Sequence, residues 1–159
     1  MRQSRRALLC AAVFGLLLPR AAGAVQSDDG NDQALLADAD YAVGLTAIKA
    51  GEFAAALSRL HVARKRFPEA ANLHNELGYS YRKLGQFDQA FEHYKRALAI
   101  DPRHRGAHEY IGEAYLLVGD VASAEKHLAA LRAICLLPCD ELSELQRAIE
   151  ARRAQDKPR

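Results

Sequence analysis

No stretch of this 159-residue chain is apolar for long enough to cross a bilayer. The longest hydrophobic run, Ala7 to Leu18, is about a dozen residues against the ~20 that a spanning helix needs. Tryptophan is absent, methionine occurs once and cysteine only three times. No nucleophile elbow, P-loop, dinucleotide fingerprint, H-E-x-x-H pair or C-x-x-C-H haem motif occurs, and Ser58, Ser80, Ser123 and Ser143 have no catalytic motif around them. Disorder and collagen-like structure are excluded in turn, because 50% of the residues are hydrophobic and 26% charged. The length suits one domain or a short repeat array and leaves no room for a two-domain enzyme.

The apolar run near the start reads as an address. Arg2, Arg5 and Arg6 precede it, Pro19 breaks it, and Ala22-Gly23-Ala24 follows with small residues. This order of positive, apolar and small-residue regions predicts a signal peptide over residues 1–24, cleaved near Ala24, and a periplasmic mature chain. Cys10 opens the apolar run instead of following it, so no lipobox and no stable membrane anchor are expected. Ser4-Arg5-Arg6-Ala7-Leu8-Leu9 is similar to the twin-arginine export motif, and the choice between that route and the general one stays open. Residues 1–24 hold four arginines and no acid, so the mature chain carries 18 basic residues against 20 acidic ones, a net charge of −2. Nucleic-acid binding therefore has no electrostatic basis.

Residues 25–33 are expected to be a flexible leader, and the rest repeats itself. Gly44, Gly78 and Gly112 stand 34 residues apart, each preceded by Val43, Leu77 or Ile111. The same period relates Gly51, Gly85 and Gly119, then Phe53, Phe87 and Val121, then Ala56, Ala90 and Ala124. It continues through Leu60, Tyr94 and Leu128 and through Ala63, Ala97 and Leu131, with Pro68 and Pro102 closing the first two units. Self-similarity at such a period marks a stacked array in which no unit buries its apolar face alone.

This pattern resembles the tetratricopeptide repeat (TPR) family, most closely over the unit that begins Ala71-Asn72-Leu73-His74-Asn75-Glu76-Leu77-Gly78 and ends at Asp101-Pro102. It departs from the family pattern in carrying Asp40, His74 and His108 where a first Trp is usual. The resemblance implies an all-α fold: three helical hairpins (about 37–70, 71–104 and 105–138) stacked as a short right-handed solenoid, with a C-terminal capping helix over 140–154 completing a domain at 34–154. A polar tail of residues 155–159 follows. Small residues at 44, 78, 112, 56, 90 and 124 would let backbones approach, and Gly51, Gly85 and Gly119 would make left-handed turns between helices. In the cap, Leu142, Leu145, Ala148 and Ile149 share one face.

The family's first helices line a concave groove that holds a protein or peptide. Carried onto this chain, the partner-binding residues are Tyr41, Asn72, Asn75, Tyr79, Arg82, Lys83, Glu109, Tyr110 and Glu113, beside Asp38, Leu45, Lys49, Leu116 and Leu117. The tyrosines supply rigid contact area with a polar tip, and the asparagines suit a peptide backbone. A carboxylate clamp for an acidic C-terminus is not expected, because Tyr41 and Leu45 occupy its positions.

Two further clusters bear on chemistry. Cys135 and Cys139 flank Pro138, and both survive export into an oxidising compartment. A structural disulfide pinning the cap is expected, worth ~2 kcal/mol for so short a loop; two free thiols or a redox or metal role are the alternatives. His74 and His108 occupy equivalent positions, as do His93 and His127, while His104 and His108 are four residues apart. A His74/His104/His108 metal site has the right ligand type but no acid or Cys to complete it, so neither metal nor cofactor is expected. The leading expectation is a non-catalytic exported adaptor or assembly factor. A redox or metal-handling protein using the cysteines and a self-associating structural module are the rivals.

Overall fold

A computed structural model describes residues 29–155. The expected signal peptide, residues 25–28 of the leader and residues 156–159 of the tail lie outside the described residues. Among the described residues eight helices follow one another: α1 (Asp29–Leu36), α2 (Ala39–Lys49), α3 (Phe53–Arg66), α4 (Ala71–Lys83), α5 (Phe87–Ile100), α6 (Arg105–Leu117), α7 (Val121–Ile134) and α8 (Asp140–Gln155). No strand occurs among the described residues. Residues 29–33, expected as leader, are the first turns of α1. No helix among the described residues is long and apolar enough to cross a membrane.

Each hairpin closes through the same turn. Gly51, Gly85 and Gly119 have φ of 77°, 72° and 87°, a conformation that costs any residue with a Cβ. The amides of Glu52, Gln86 and Asp120 then reach back to the carbonyls of Ala47, Tyr81 and Tyr115 at 2.9, 2.9 and 2.8 Å. This pattern satisfies carbonyls that the helix end would otherwise leave free. With so short a turn, α2 packs against α3, α4 against α5 and α6 against α7, and each hairpin stacks on the next through α3–α4 and α5–α6.

The helices approach closely where the side chains are smallest. A Cβ built on Gly44 would lie 2.6 Å from Leu60 Cδ2, and one on Gly78 would lie 2.6 Å from Tyr94 Cδ1. At Gly112 the neighbour is different: Leu145 of α8, at 2.7 Å. The capping helix therefore packs into α6 as well as α7, with Leu145 and Ile149 fully buried. Tyr94 is the largest fully buried side chain, and its ring lies between α4 and α6 in a cluster with Ala90, Ile111 and Ala114.

The first cluster unites Leu35 of α1 with Tyr41, Ala47, Ala56, Leu60, Ala63 and Leu77. Tyr41, expected on the groove surface, is thus a core residue with 4% of its surface exposed. The reason is α1, of which only the first turns were expected as leader: it folds back and places Leu35 in the same cluster as the ring.

Gly78→Ala tests the close approach. The added methyl must displace a fully buried Tyr94 ring, and overpacking of this kind costs about 1–3 kcal/mol. A lowered midpoint in urea at unchanged m-value is expected; an unchanged midpoint would show that the ring has room to move.

Candidate functional site

The first helices of the hairpins, α2, α4 and α6, carry the expected partner-binding side chains at equivalent heights. Tyr41, Asn75 and Glu109 are 34 residues apart, as are Leu45, Tyr79 and Glu113. The first of these rows forms the floor: Tyr41, Asn75 and Glu109 are 4, 5 and 4% exposed. A partner meets little of these three side chains, because packing in the array and under α8 covers them. They shape the face more than they offer contact area.

The second row is accessible, and its centre is Arg82. Its Nε donates to the Tyr94 hydroxyl at 3.3 Å, and Nη1 pairs with Glu113 Oε2 at 2.9 Å. The guanidinium carbon lies 5.2 Å from the Tyr79 ring centroid and 5.4 Å from that of Tyr110, within cation–π range of both. Arg82, expected to contact a partner, instead spends its charge inside the protein, with a side chain only 10% exposed. What it presents is a pair of rings: Tyr79 and Tyr110 stand 5.1 Å apart. Phe53, not anticipated from the sequence, extends the platform with its ring 6.0 Å from Tyr79. Lys83 is exposed and sits 5.7 Å from the Phe53 centroid and 5.8 Å from that of Tyr79.

Polar groups flank the platform. Asn72 is exposed and accepts from His104 Nε2 at 3.1 Å; the proton is on Nε2 because His104 Nδ1 accepts the Ala107 amide at 3.0 Å as the cap of α6. Asn75 donates weakly to Glu76 Oε1 at 3.4 Å, while its own Oδ1 is buried without any partner. A buried acceptor left unpaired is costly. At the far end, a pocket of about 350 Å³ is lined by Arg82, Glu113, Leu116 and Leu117 with Ala148, Ala151 and Arg152 of α8. The α8 contribution was hidden in the sequence because α8 lies outside the 34-residue period.

Glu109 carries no ion pair to a cation. Burial, a hydrogen bond with Glu144, and the charges of Glu113, Glu144 and Glu141 push its carboxyl up to about 8. α8 supplies two of these carboxylates, so the cap is joined to α6 by a shared proton as well as by Leu145.

The histidines separate into three sets and form no His74/His104/His108 cluster. His74 Nδ1 lies 3.0 Å from His93 Nδ1, and its Nε2 is 3.0 Å from the Pro68 carbonyl. The next hairpin repeats this: His108 Nδ1 to His127 Nδ1 at 3.0 Å, and His108 Nε2 to the Pro102 carbonyl at 3.1 Å. The carbonyl requires a proton on Nε2 of His74 and His108, so His93 and His127 donate from Nδ1. Tyr81 stacks on His93 at an interplanar angle of 7°, and Tyr115 on His127 at 18°. His104, four residues from His108, is engaged elsewhere with Asn72. Across the α7–α8 turn, Cys135 and Cys139 stand with Cα atoms 6.1 Å apart and sulfurs joined. The loop between them holds Leu136 and Leu137 out in solvent, 91 and 80% exposed.

Paired helical hairpins with a ring-lined face on their first helices define a helical-repeat scaffold. The profile of the tetratricopeptide repeat matches residues 71–104. The fold is similar to that of the type III secretion translocator chaperone SycD of Yersinia enterocolitica, with a TM-score of 0.67 and 19% identity over 83% of this chain and 98% of that one. It is also similar to the first TPR of Spaghetti (RPAP3) bound to an HSP90 peptide, with a TM-score of 0.65 and 18% identity over 75% and 95% of the two chains. PcrH in complex with the chaperone-binding region of PopD gives 0.64 and 23% identity over 82% and 96%. Residues 71–104 thus form a tetratricopeptide repeat, and the described residues share the fold of tetratricopeptide repeat structures.

Two opposing titrations give its stability a maximum. Burial, then the neighbouring histidines, hold His93 and His127 down to about 4. The unfolded chain therefore binds more protons below pH ~6.5, and stability falls as pH drops from there through 4. Glu109 acts in the other direction: its raised carboxyl keeps a proton that the unfolded chain has released, so stability falls as pH rises from ~4.5 to 8. Glu109→Gln is expected to raise stability at pH 8.5 by roughly 1–2 kcal/mol and to change little at pH 5. Chemical denaturation at the two pH values checks this; an equal effect at both would remove the shared proton from the account.

Proposed function

We propose that this protein is a non-catalytic, exported adaptor or assembly factor that holds a protein or peptide partner on the face formed by α2, α4 and α6. The observation that carries the reading is the ring platform of Phe53, Tyr79 and Tyr110, fixed from beneath by an internally neutralised Arg82. Rigid aromatic surface held in place before binding is what concentrates affinity at an interface. SycD, a translocator chaperone, RPAP3, bound to an HSP90 peptide, and PcrH, in complex with a region of PopD, support the same use of the fold. No chemistry is assigned to the face: Glu109, the carboxyl pushed up furthest, is buried against Glu144.

Export is part of the proposal and rests on residues 1–24. The mature chain is then expected to begin at Val25, to reside in the periplasm and to be lighter than the fully reduced chain by two hydrogens, from Cys135 and Cys139. Mass spectrometry of protein recovered from the periplasm reads all three. Alkylatable thiols would instead favour the redox reading of the cysteines.

For the groove, a photoreactive amino acid placed at Lys83 or Leu117 should crosslink a defined partner in cells, and one at Glu125 on α7 should not. With the captured partner purified, Tyr79→Ala combined with Tyr110→Ala should weaken binding by roughly 100-fold or more. Crosslinking from Leu136 or Leu137 in place of the groove positions would move the site to the cysteine loop.

A further inference from the structure

The second helices carry a pocket that the groove does not use. It measures about 690 Å³ and is lined by Arg64, Lys65, Lys95 and Arg96, with His74 and His93 in its wall and Glu69 and Glu92 at its rim. Arg96 is bound to Glu69. Arg64, Lys65 and Lys95 have no ion-pair partner among the described residues, although all are exposed. Three uncompensated cations and a fourth converge where the chain also places a buried pair of histidines. Surface cations alone are usually just solvated; the buried wall makes this location different.

The tautomers sharpen the point. His74 gives its Nε2 proton to the Pro68 carbonyl and accepts from His93 at Nδ1. That leaves Nε2 of His93 as the dyad's one ring nitrogen without a hydrogen bond. A proton arriving there keeps the His93-to-His74 bond intact and turns the dyad into a cationic donor. The rings against His93 are those of His61, His74 and Tyr81, and the charged groups of the pocket are Arg64, Lys65, Lys95 and Arg96 with the acids Glu69 and Glu92.

The repeat supplies an internal control. The dyad recurs at His108 and His127, yet the positions equivalent to Arg64, Lys65, Lys95 and Arg96 are Leu98, Ala99, Ala129 and Ala130. The rim acids become Arg103 and Lys126, and Arg103 lines the pockets beside the cysteine loop and Asn72 instead. The dyad therefore forms without a cationic cluster, and the cluster at the first one is an addition.

We infer that this pocket is an oxyanion site that takes a phosphate group, with Arg64, Lys65, Lys95 and Arg96 around it and the His74–His93 dyad behind it. Guanidinium forks and ammonium groups in this number match a tetrahedral phosphate anion. The volume leaves room for whatever bears the phosphate. Burial, then His74 and Arg64, keep His93 neutral at ordinary pH; a bound phosphate anion opposes the Arg64 effect, so its binding favours the proton on His93. The site is separate from the groove and stands or falls without it.

The experiment uses the full mature chain with labelled histidines, followed by NMR through a pH titration in sodium phosphate and in sodium chloride of equal ionic strength. The His93 midpoint should rise by about one pH unit in phosphate, while His127 stays where it is. Arg64→Ser with Lys95→Ser should abolish the rise without moving the thermal midpoint in chloride, both residues being exposed. Sedimentation with phosphatidylglycerol vesicles tells the source of the phosphate. Vesicle binding lost in the double variant, with no response to inorganic phosphate, assigns a lipid headgroup to the same site. Equal movement of His93 and His127, or no response to either probe, overturns the proposal.

Discussion

The structure depends on how near one helix can come to the next. A glycine on the first helix of a hairpin lets a large side chain lie directly against its backbone, and at Gly78 that side chain is Tyr94. Once the ring is there, its hydroxyl comes within hydrogen-bond reach of Arg82. Arg82 then has its position fixed between Tyr79 and Tyr110, with Glu113 neutralising it from α6. The accessible rings therefore inherit their geometry from a contact in the core. A side chain held by two rings, a hydroxyl and a carboxylate has little rotamer freedom left. The same glycine that allows the hairpin to close also sets the shape of the ring-bearing face.

The third hairpin uses its glycine for another purpose. Gly112 admits Leu145 from α8, so the end of the array is sealed by inserting the cap where the second hairpin places its own Tyr94. A repeat array needs its last apolar face covered, and α8 covers it by inserting Leu145 at the closest approach with Ile149 buried beside it. Electrostatics pulls against that packing. Glu109 lies beneath Glu144 and near Glu141 and Glu113, and four carboxylates so close are tolerated because burial makes one of them keep its proton. The cap is held by shape and opposed by charge, and the balance moves with pH.

Much of this was legible in the sequence, for a reason that can be stated. The 34-residue spacing of Gly44, Gly78 and Gly112 and of Gly51, Gly85 and Gly119 records sterics that act within one unit, and such constraints leave the same residue at the same place each time. The hairpins, their turns and the apolar side of α8 follow from it. The site was legible only in outline. Tyr41 and Arg82 were placed on the surface because equivalent positions face the groove, but their surroundings are set by other segments: α1 folding over Tyr41, Tyr94 and Glu113 engaging Arg82. Phe53 and the α8 residues were missed because one belongs to a second helix and the others lie outside the repeat. The histidine pairs show the same limit. Period alone showed that His74 matches His108 and His93 matches His127, whereas the partner of each lies across the hairpin at a separation of 19 residues.

That pairing explains how the array accommodates polar residues where tryptophan is usual in the family. A histidine at position 74 or 108 would leave a buried ring with two nitrogens to satisfy, which is costly unless both find partners. The proline carbonyl that closes the preceding unit takes one, and a histidine from the second helix takes the other. Each dyad thus ties the turn between hairpins to the hairpin that follows, so the junction is specified by hydrogen bonds as well as by packing. Because only the last nitrogen of each dyad is unbound, the environment of that nitrogen is free to differ between copies. Around His93 it is cationic and around His127 it is largely apolar. Duplication has fixed the pair and left its surroundings to diverge, which is how a repeat protein keeps one scaffold while giving each of its units a different surface.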